Sequence, residues 1–276
     1  KGMVPDGYQV SIVFQDRDQR VDGPSAGTAM ALMLDSLFTG EKLDEGFACT
    51  GGITPNGKVT SIGGVAAKIR GATRRDCTIV GVPEGNAKGV NDILVLDGVQ
   101  QLLDIQVFTM KDMDEARALS REEKDKDVQS TLDDFKSVAD VIAEQGDAAL
   151  KNARVKERLE AVLEAMPNHI SAKLLLDHIR GDAPKRLSVG GSFHEIDSRS
   201  SAVFSRVQRT MMRGKVSEAD EAESAAADAR GELEELDGKI HEKFEDYLKA
   251  AIDICKAVED DASNGGKDLV ESLKSR

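Results

Sequence analysis

Two hydrophobic rhythms divide this chain. Up to about residue 120, apolar positions come in short β-branched runs separated by glycine-rich turns; beyond it they recur every three or four residues. Residues 9–14 (QVSIVF) read as a strand, and SAGTAMALMLDSLF predicts a helix over residues 25–38, stopped by Gly40. Residues 46–53 read as a strand, Pro55-Asn56-Gly57 as a turn, and residues 59–62 as the returning strand. Gly63-Gly64 closes that strand, and a helix is predicted over residues 65–74. Strands at 78–82 and 106–109 and a helix at 112–119 complete the first part. Strands alternating with helices predict an α/β (α+β layered) domain over residues 1–120.

An all-α domain is expected over residues 121–276. Leu132, Phe135, Val138 and Ile142 form one apolar stripe, and Leu159, Val162, Leu163 and Met166 another. Pro167-Asn168 separates a helix at 150–166 from one at 170–179, a pair resembling a single tetratricopeptide-like hairpin. Residues 182–192 read as a loop. Leu233, Leu236, Ile240, Phe244, Tyr247, Ala251, Ile254 and Val258 continue one seam over about seven turns, as in a coiled-coil-like hairpin or bundle. That seam is expected to pack against a helix at 193–211 of the same chain.

Charge narrows the function classes. The formal net charge is −13, of which −4 falls in residues 1–120 and −9 in the helical part. An acidic chain without a basic patch argues against a nucleic-acid partner. No apolar run approaches the roughly 20 residues of a membrane-spanning helix, so no membrane partner is expected. Cys49, Cys77 and Cys255 lie too far apart for a CxxC zinc site or a disulfide scaffold. A cytoplasmic location is expected. Lys1 in place of an initiator methionine reads as the start of a fragment.

Candidate chemistry centres on Asp22-Gly23-Pro24-Ser25-Ala26-Gly27. Two glycines and a proline force a tight loop that runs straight into a helix, setting Ser25 beside backbone N–H groups without intrahelical partners. Such groups suit the oxyanion formed when a serine attacks a carbonyl, although serine after proline is also an ordinary helix start. A nucleophilic serine needs a base. The four histidines, His169, His178, His194 and His241, all lie in the helical part, which rules out a Ser–His–Asp triad confined to the first domain. A lysine stripped of water is the remaining route. Of Lys42, Lys58, Lys68, Lys88 and Lys111, Lys68 stands among Val65, Ala66, Ala67 and Ile69, one turn after Gly63-Gly64. The alternative is a surface lysine lying along an apolar face. Gly52–Lys58 (GITPNGK) nearly spells a phosphate-binding loop, but Val59 stands where Ser or Thr would meet Mg²⁺, and Pro-Asn-Gly reads as a hairpin turn.

The fragments VDGPSAGTAMALMLDSLFTG, TGGITPNGKVTSIGGVAAKI and GVPEGN together resemble the proteolytic domain of the Lon protease family over about residues 5–120. That resemblance implies Ser25 as nucleophile and Lys68, 43 positions later, as general base and acid in a Ser–Lys dyad. It implies a supporting Asp22 before the serine and a Thr50 whose hydroxyl holds the lysine amine. Gly23, Pro24 and Ala26 shape the serine loop. Gly52 stands where the family has a glutamate, and residues 10–14 lack the histidines many members carry there. The resemblance also implies an N-terminally incomplete domain, protein or peptide substrates and a homo-oligomer of six subunits. It implies no cofactor in this chain, with ATP entering only through an ATPase domain elsewhere. A catalytically inactive Lon-fold scaffold, with the helical domain as its interaction module, is the alternative function.

Overall fold

The computed structural model describes residue 11 and residues 23–213 and 219–263. The strand expected at 9–14 and the supporting Asp22 lie outside the described residues. Residues 1–183 and 184–276 form two compact units.

In the first unit the described elements are α1 (Gly27–Thr39), β1 (Phe47–Cys49), β2 (Gly52–Ile53), β3 (Val59–Thr60), α2 (Val65–Thr73), β4 (Ile79–Pro83), α3 (Ala87–Asp97) and α4 (Gln100–Asp104). They continue with β5 (Gln106–Met110), α5 (Met113–Ser120), α6 (Lys126–Gln145), α7 (Asp147–Leu150), α8 (Ala153–Ala165) and α9 (Ile170–Arg180). Strands β1, β4 and β5 make a parallel sheet in the order β1-β4-β5. Parallel neighbours need crossovers. The β2–β3 hairpin with α2 supplies the first, and α3 with α4 the second. Every residue of β4 is buried, as its continuous IVGVP run requires of a strand covered on both faces.

The strand expected at 46–53 is split. Thr50 and Gly51 leave the sheet, with the Thr50 N–H on the Gly81 carbonyl and the Gly51 N–H on the Ser25 carbonyl. Gly52–Ile53 then pairs antiparallel with Val59–Thr60, so GITPNGK is a hairpin and not a strand-to-helix phosphate loop. Helices α3 and α4 occupy a stretch in which no element is evident from the sequence. Gly85, Gly89 and Gly98 mask the period there, yet Val90, Ile93, Leu94 and Leu102 are all buried.

The compact unit runs well past the change of composition at residue 120. Phe135, Val138, Ile142, Leu159, Val162 and Leu174–Leu176 join Val80, Val82 and Val107 in one core. The cause is the edge of β5, whose backbone groups need partners once buried. The Thr109 N–H donates to the Asn168 carbonyl at 3.0 Å, and Asn168 Nδ2 returns a bond to the Thr109 carbonyl at 2.9 Å. Ser171 Oγ donates to the Ile105 carbonyl at 3.0 Å and accepts from the Val107 N–H at 2.9 Å. Pro167-Asn168 therefore does more than break two helices: the segment it opens closes the sheet. The stripe of Leu132, Phe135, Val138 and Ile142 is buried throughout.

The second unit contains α10 (Val189–Arg213), α11 (Ala219–Glu234) and α12 (Glu245–Ser263). The expected loop ends early: Gly190, Gly191 and Ser192 already belong to α10, with the Gly191 N–H on Ser188 Oγ at 3.0 Å. The expected seven-turn seam is interrupted. Gly238 adopts a left-handed φ of 70°, and His241 Nδ1 accepts the Lys243 N–H, so the chain turns before α12 begins. The turn also shifts the phase. Leu233, Leu236, Ile240, Ala251 and Val258 are buried, but Leu248 and Cys255 replace Tyr247 and Ile254 on the inner face. Helix α11 packs between α10 and α12, as a hairpin against a third helix.

Candidate active site

Gly23 has φ 83°, a conformation that side chains disfavour, and it opens a 3-10 turn over Pro24–Ala26. The Gly27 N–H donates to the Pro24 carbonyl inside that turn. Pro24 has no N–H, and Ser25 comes before the first amide whose i→i+3 acceptor lies in the turn. Helix α1 continues from Gly27, which keeps Ser25 at a helix entrance.

The serine turn is laced to the segment after β1. The Ser25 carbonyl accepts the Gly51 N–H at 2.9 Å and Thr50 Oγ1 at 3.1 Å. The Gly51 carbonyl accepts both the N–H of Thr28, at 2.9 Å, and its Oγ1, at 3.1 Å. A Cβ at Gly51 would fall 2.7 Å from Val59 Cγ1 and 2.9 Å from Thr28 Oγ1, so the close approach requires glycine. Thr50 is buried, and its hydroxyl donates to the backbone of the serine, with no bond to a lysine amine among the described residues.

The opposite wall comes from the segment leaving β3. Ser61, Ile62 and Gly63 lead to Gly64, whose left-handed φ of 64° caps α2. Val65, Ala66, Ile69 and Ala72 anchor α2 in the core, and Lys68 lies half-buried on its flank. Gly23, Pro24, Ser25, Ser61, Ile62, Gly63 and Lys68 line one open cleft of about 420 Å³. Ser25 and Lys68 thus meet at one cleft, without a hydrogen bond between them, and among the described residues the Lys68 ammonium has no ion-pair partner.

Burial holds the Lys68 amine below the ordinary lysine range. Lys111 moves the other way, raised by its bond to Glu115, and Lys42 pairs with Glu122. Of these three candidate lysines, Lys68 alone combines a cleft position with partial desolvation. Cys49 is pushed up to about 12 by burial, which leaves its thiol protonated and a poor nucleophile. His169 belongs to the first unit after all, but as core. Its ring packs between Phe108 and Phe135 at centroid distances of 4.3 and 4.4 Å, with Nε2 3.1 Å from Gln106 Oε1. It does not line the cleft, so a histidine base is absent there among the described residues.

The wall residues Ser61 and Ile62, and Asn86 behind them, are what reasoning from sequence passes over. Their signal was the GVPEGN segment, whose Asn86 carboxamide bonds both backbone groups of Ile62.

The family model for the Lon protease (S16) C-terminal proteolytic domain matches residues 7–120. A Lon protease of Clostridium beijerinckii is 38% identical over 112 residues, covering 37% of this chain and 14% of the relative. One from Desulforamulus reducens is 33% identical over 111 residues, again 37% of this chain and 14% of the relative. One from Rhizobium meliloti is 44% identical over 84 residues, covering 30% of this chain and 10% of the relative. The matches therefore span 10–14% of these relatives' length. The residues matched by the family model include the serine turn, the hairpin and the lysine helix that build the cleft. Residues 7–120 of this chain are similar to the proteolytic domain of the Lon protease family.

Proposed function

We propose that this chain is the peptidase part of a serine endopeptidase in which Ser25 is the nucleophile and Lys68 the general base and acid. The observation that carries the reading is that Ser25 and Lys68, far apart in sequence, line the same cleft, with burial drawing down the lysine's proton affinity. In the first step Ser25 Oγ bonds to the scissile carbonyl carbon and its proton passes to the neutral Lys68 Nζ. The tetrahedral oxyanion faces the Ser25 amide at the helix entrance. Lys68 then returns its proton to the leaving amine nitrogen as the C–N bond breaks, which leaves an ester on Ser25. Water, deprotonated by Lys68, attacks the ester, and the proton goes back to Ser25 as the acid product departs.

The substrates on this reading are unfolded proteins or peptides, and the working form is a homo-oligomer, a six-subunit ring, in the cytoplasm. The chain itself would hold no cofactor, and ATP would act only through an ATPase domain elsewhere. Domain organisation follows the same reading: the peptidase residues lie in 1–120, the helices up to residue 183 complete their folded unit, and the helices of residues 184–276 are accessory. The test is degradation of casein by the wild type, Ser25→Ala and Lys68→Ala. Wild-type hydrolysis no faster than that of either variant would remove the reading. The scaffold alternative would then stand, and the missing Ser25–Lys68 hydrogen bond is the observation in its favour.

A further inference from the structure

Ile62 is held in an unusual way. It lies beyond the end of β3, where no ladder partner reaches it. Its N–H donates to Asn86 Oδ1 at 2.9 Å, and its carbonyl accepts from Asn86 Nδ2 at 2.8 Å. One carboxamide thus does for Ile62 what a neighbouring strand does for a ladder residue. Asn86 is also the N-cap of α3, a position where asparagine ordinarily bonds its own helix. Here its side chain makes no cap bond at all. The local preference is forfeited in favour of Ile62, 24 positions away in sequence.

The surroundings point the same way. A Cβ at Gly85 would overlap Ser61 Oγ as it stands, so glycine lets the turn after β4 lie flush against the wall without turning that hydroxyl away. Gly63 and Gly64 follow Ile62 and lead straight into the helix of Lys68. Two successive glycines are the least constrained link a chain can have, and the wall needs an anchor just ahead of them.

We propose that Asn86 is a positioning residue: its carboxamide keeps the Ser61–Gly63 wall, and through Gly63-Gly64 the Lys68 amine, in register with Ser25. The inference rests on the Ser25–Lys68 reading. Asn86 touches no reacting atom; it acts through Ile62.

The test uses the full chain with Asn86→Ala and Asn86→Asp. Aspartate keeps an acceptor for the Ile62 N–H but sets a carboxylate oxygen against the Ile62 carbonyl. Four quantities are read: amide exchange at Ile62, titration of the Lys68 side-chain ¹³Cε resonance, kcat and KM on an unfolded casein peptide, and the thermal transition. Asn86→Ala is expected to speed Ile62 exchange, to move the Lys68 midpoint toward the ordinary lysine value, and to lower kcat by roughly 10²-fold with little change in KM. Asn86→Asp falls between alanine and wild type, and it replaces alanine as the deciding variant if alanine unfolds. An unmoved Lys68 midpoint with undiminished kcat overturns the proposal, as does a loss of rate that only follows loss of folded protein. Ser25-dependent hydrolysis indifferent to Asn86 sinks the positioning role alone. Hydrolysis that does not depend on Ser25 sinks the Ser25–Lys68 reading, and the positioning role with it.

Discussion

The hydroxyl of Thr50 donates to the carbonyl oxygen of Ser25 at 3.1 Å, from a buried position beside the sheet. Threonine at this place is thereby tied to the backbone of the serine turn. Thr50→Val keeps the shape and removes the donor, and it should cost about 1 kcal/mol in urea unfolding. Peptidase turnover should fall further than that loss explains, because the turn sets the aim of Ser25. Thr50→Ser should restore most of both. Equal turnover for the valine and serine variants would show that the bond has no part in aiming the serine.

On the proposed mechanism, the pH dependence of hydrolysis follows from Lys68. Its amine must be neutral to take the proton of Ser25, and burial lowers its proton affinity relative to free lysine. The rate should therefore rise with pH, with a midpoint below the ordinary lysine value. Lys68→Arg should abolish activity despite keeping the charge, since a guanidinium does not deprotonate in this range. The measurement is a pH–rate profile on a peptide substrate. A midpoint at or above the free-lysine value would count against Lys68 as the base.

Acid should loosen the first unit through His169. Burial between Phe108 and Phe135 drives its pKa down to about 3, against about 6.5 for the free side chain. The folded-state value is the depressed one, so the contribution is fully present above about pH 6.5. It is lost progressively as pH falls toward 3, because the unfolded chain takes up the proton first. The loss is of the order of a few kcal/mol. His169→Gln should be less stable at neutral pH but should show a flatter acid limb. Parallel curves for the two proteins, by urea unfolding from pH 7 downward, would contradict the assignment.

Truncation separates the composition boundary from the folding boundary. A chain ending at residue 120 would bare Val107, Phe108 and Leu102, which are fully buried, and would leave the β5 edge without Asn168 and Ser171. It should aggregate or bind hydrophobic dyes. A chain ending at residue 183 keeps the unit whole and should unfold in one cooperative transition. Cooperative folding of the shorter piece would show that the helices are dispensable to the sheet.

Much of the site was legible from residue types alone. Gly-Pro-Ser-Ala-Gly demands a tight turn at a helix entrance whatever surrounds it, because φ freedom at glycine and the fixed φ of proline are local properties. The turn at Pro55-Asn56-Gly57 and the helix after Gly63-Gly64 are local in the same sense. The split of the strand at Thr50 was not legible, since it follows from hydrogen bonds to Ser25 and Gly81, remote in sequence.

The sequence by itself determined most of the elements, the serine turn and the likeness of residues 7–120 to a Lon proteolytic domain, all of which depend on neighbours along the chain. Only the tertiary structure decided that Ser25 and Lys68 share a cleft, that Asn86 serves Ile62 instead of its own helix, and that the helices after residue 120 complete the first core. Those three depend on contacts across tens of residues, where an unpaired strand edge or a lone backbone amide takes whichever partner the packed chain brings to it.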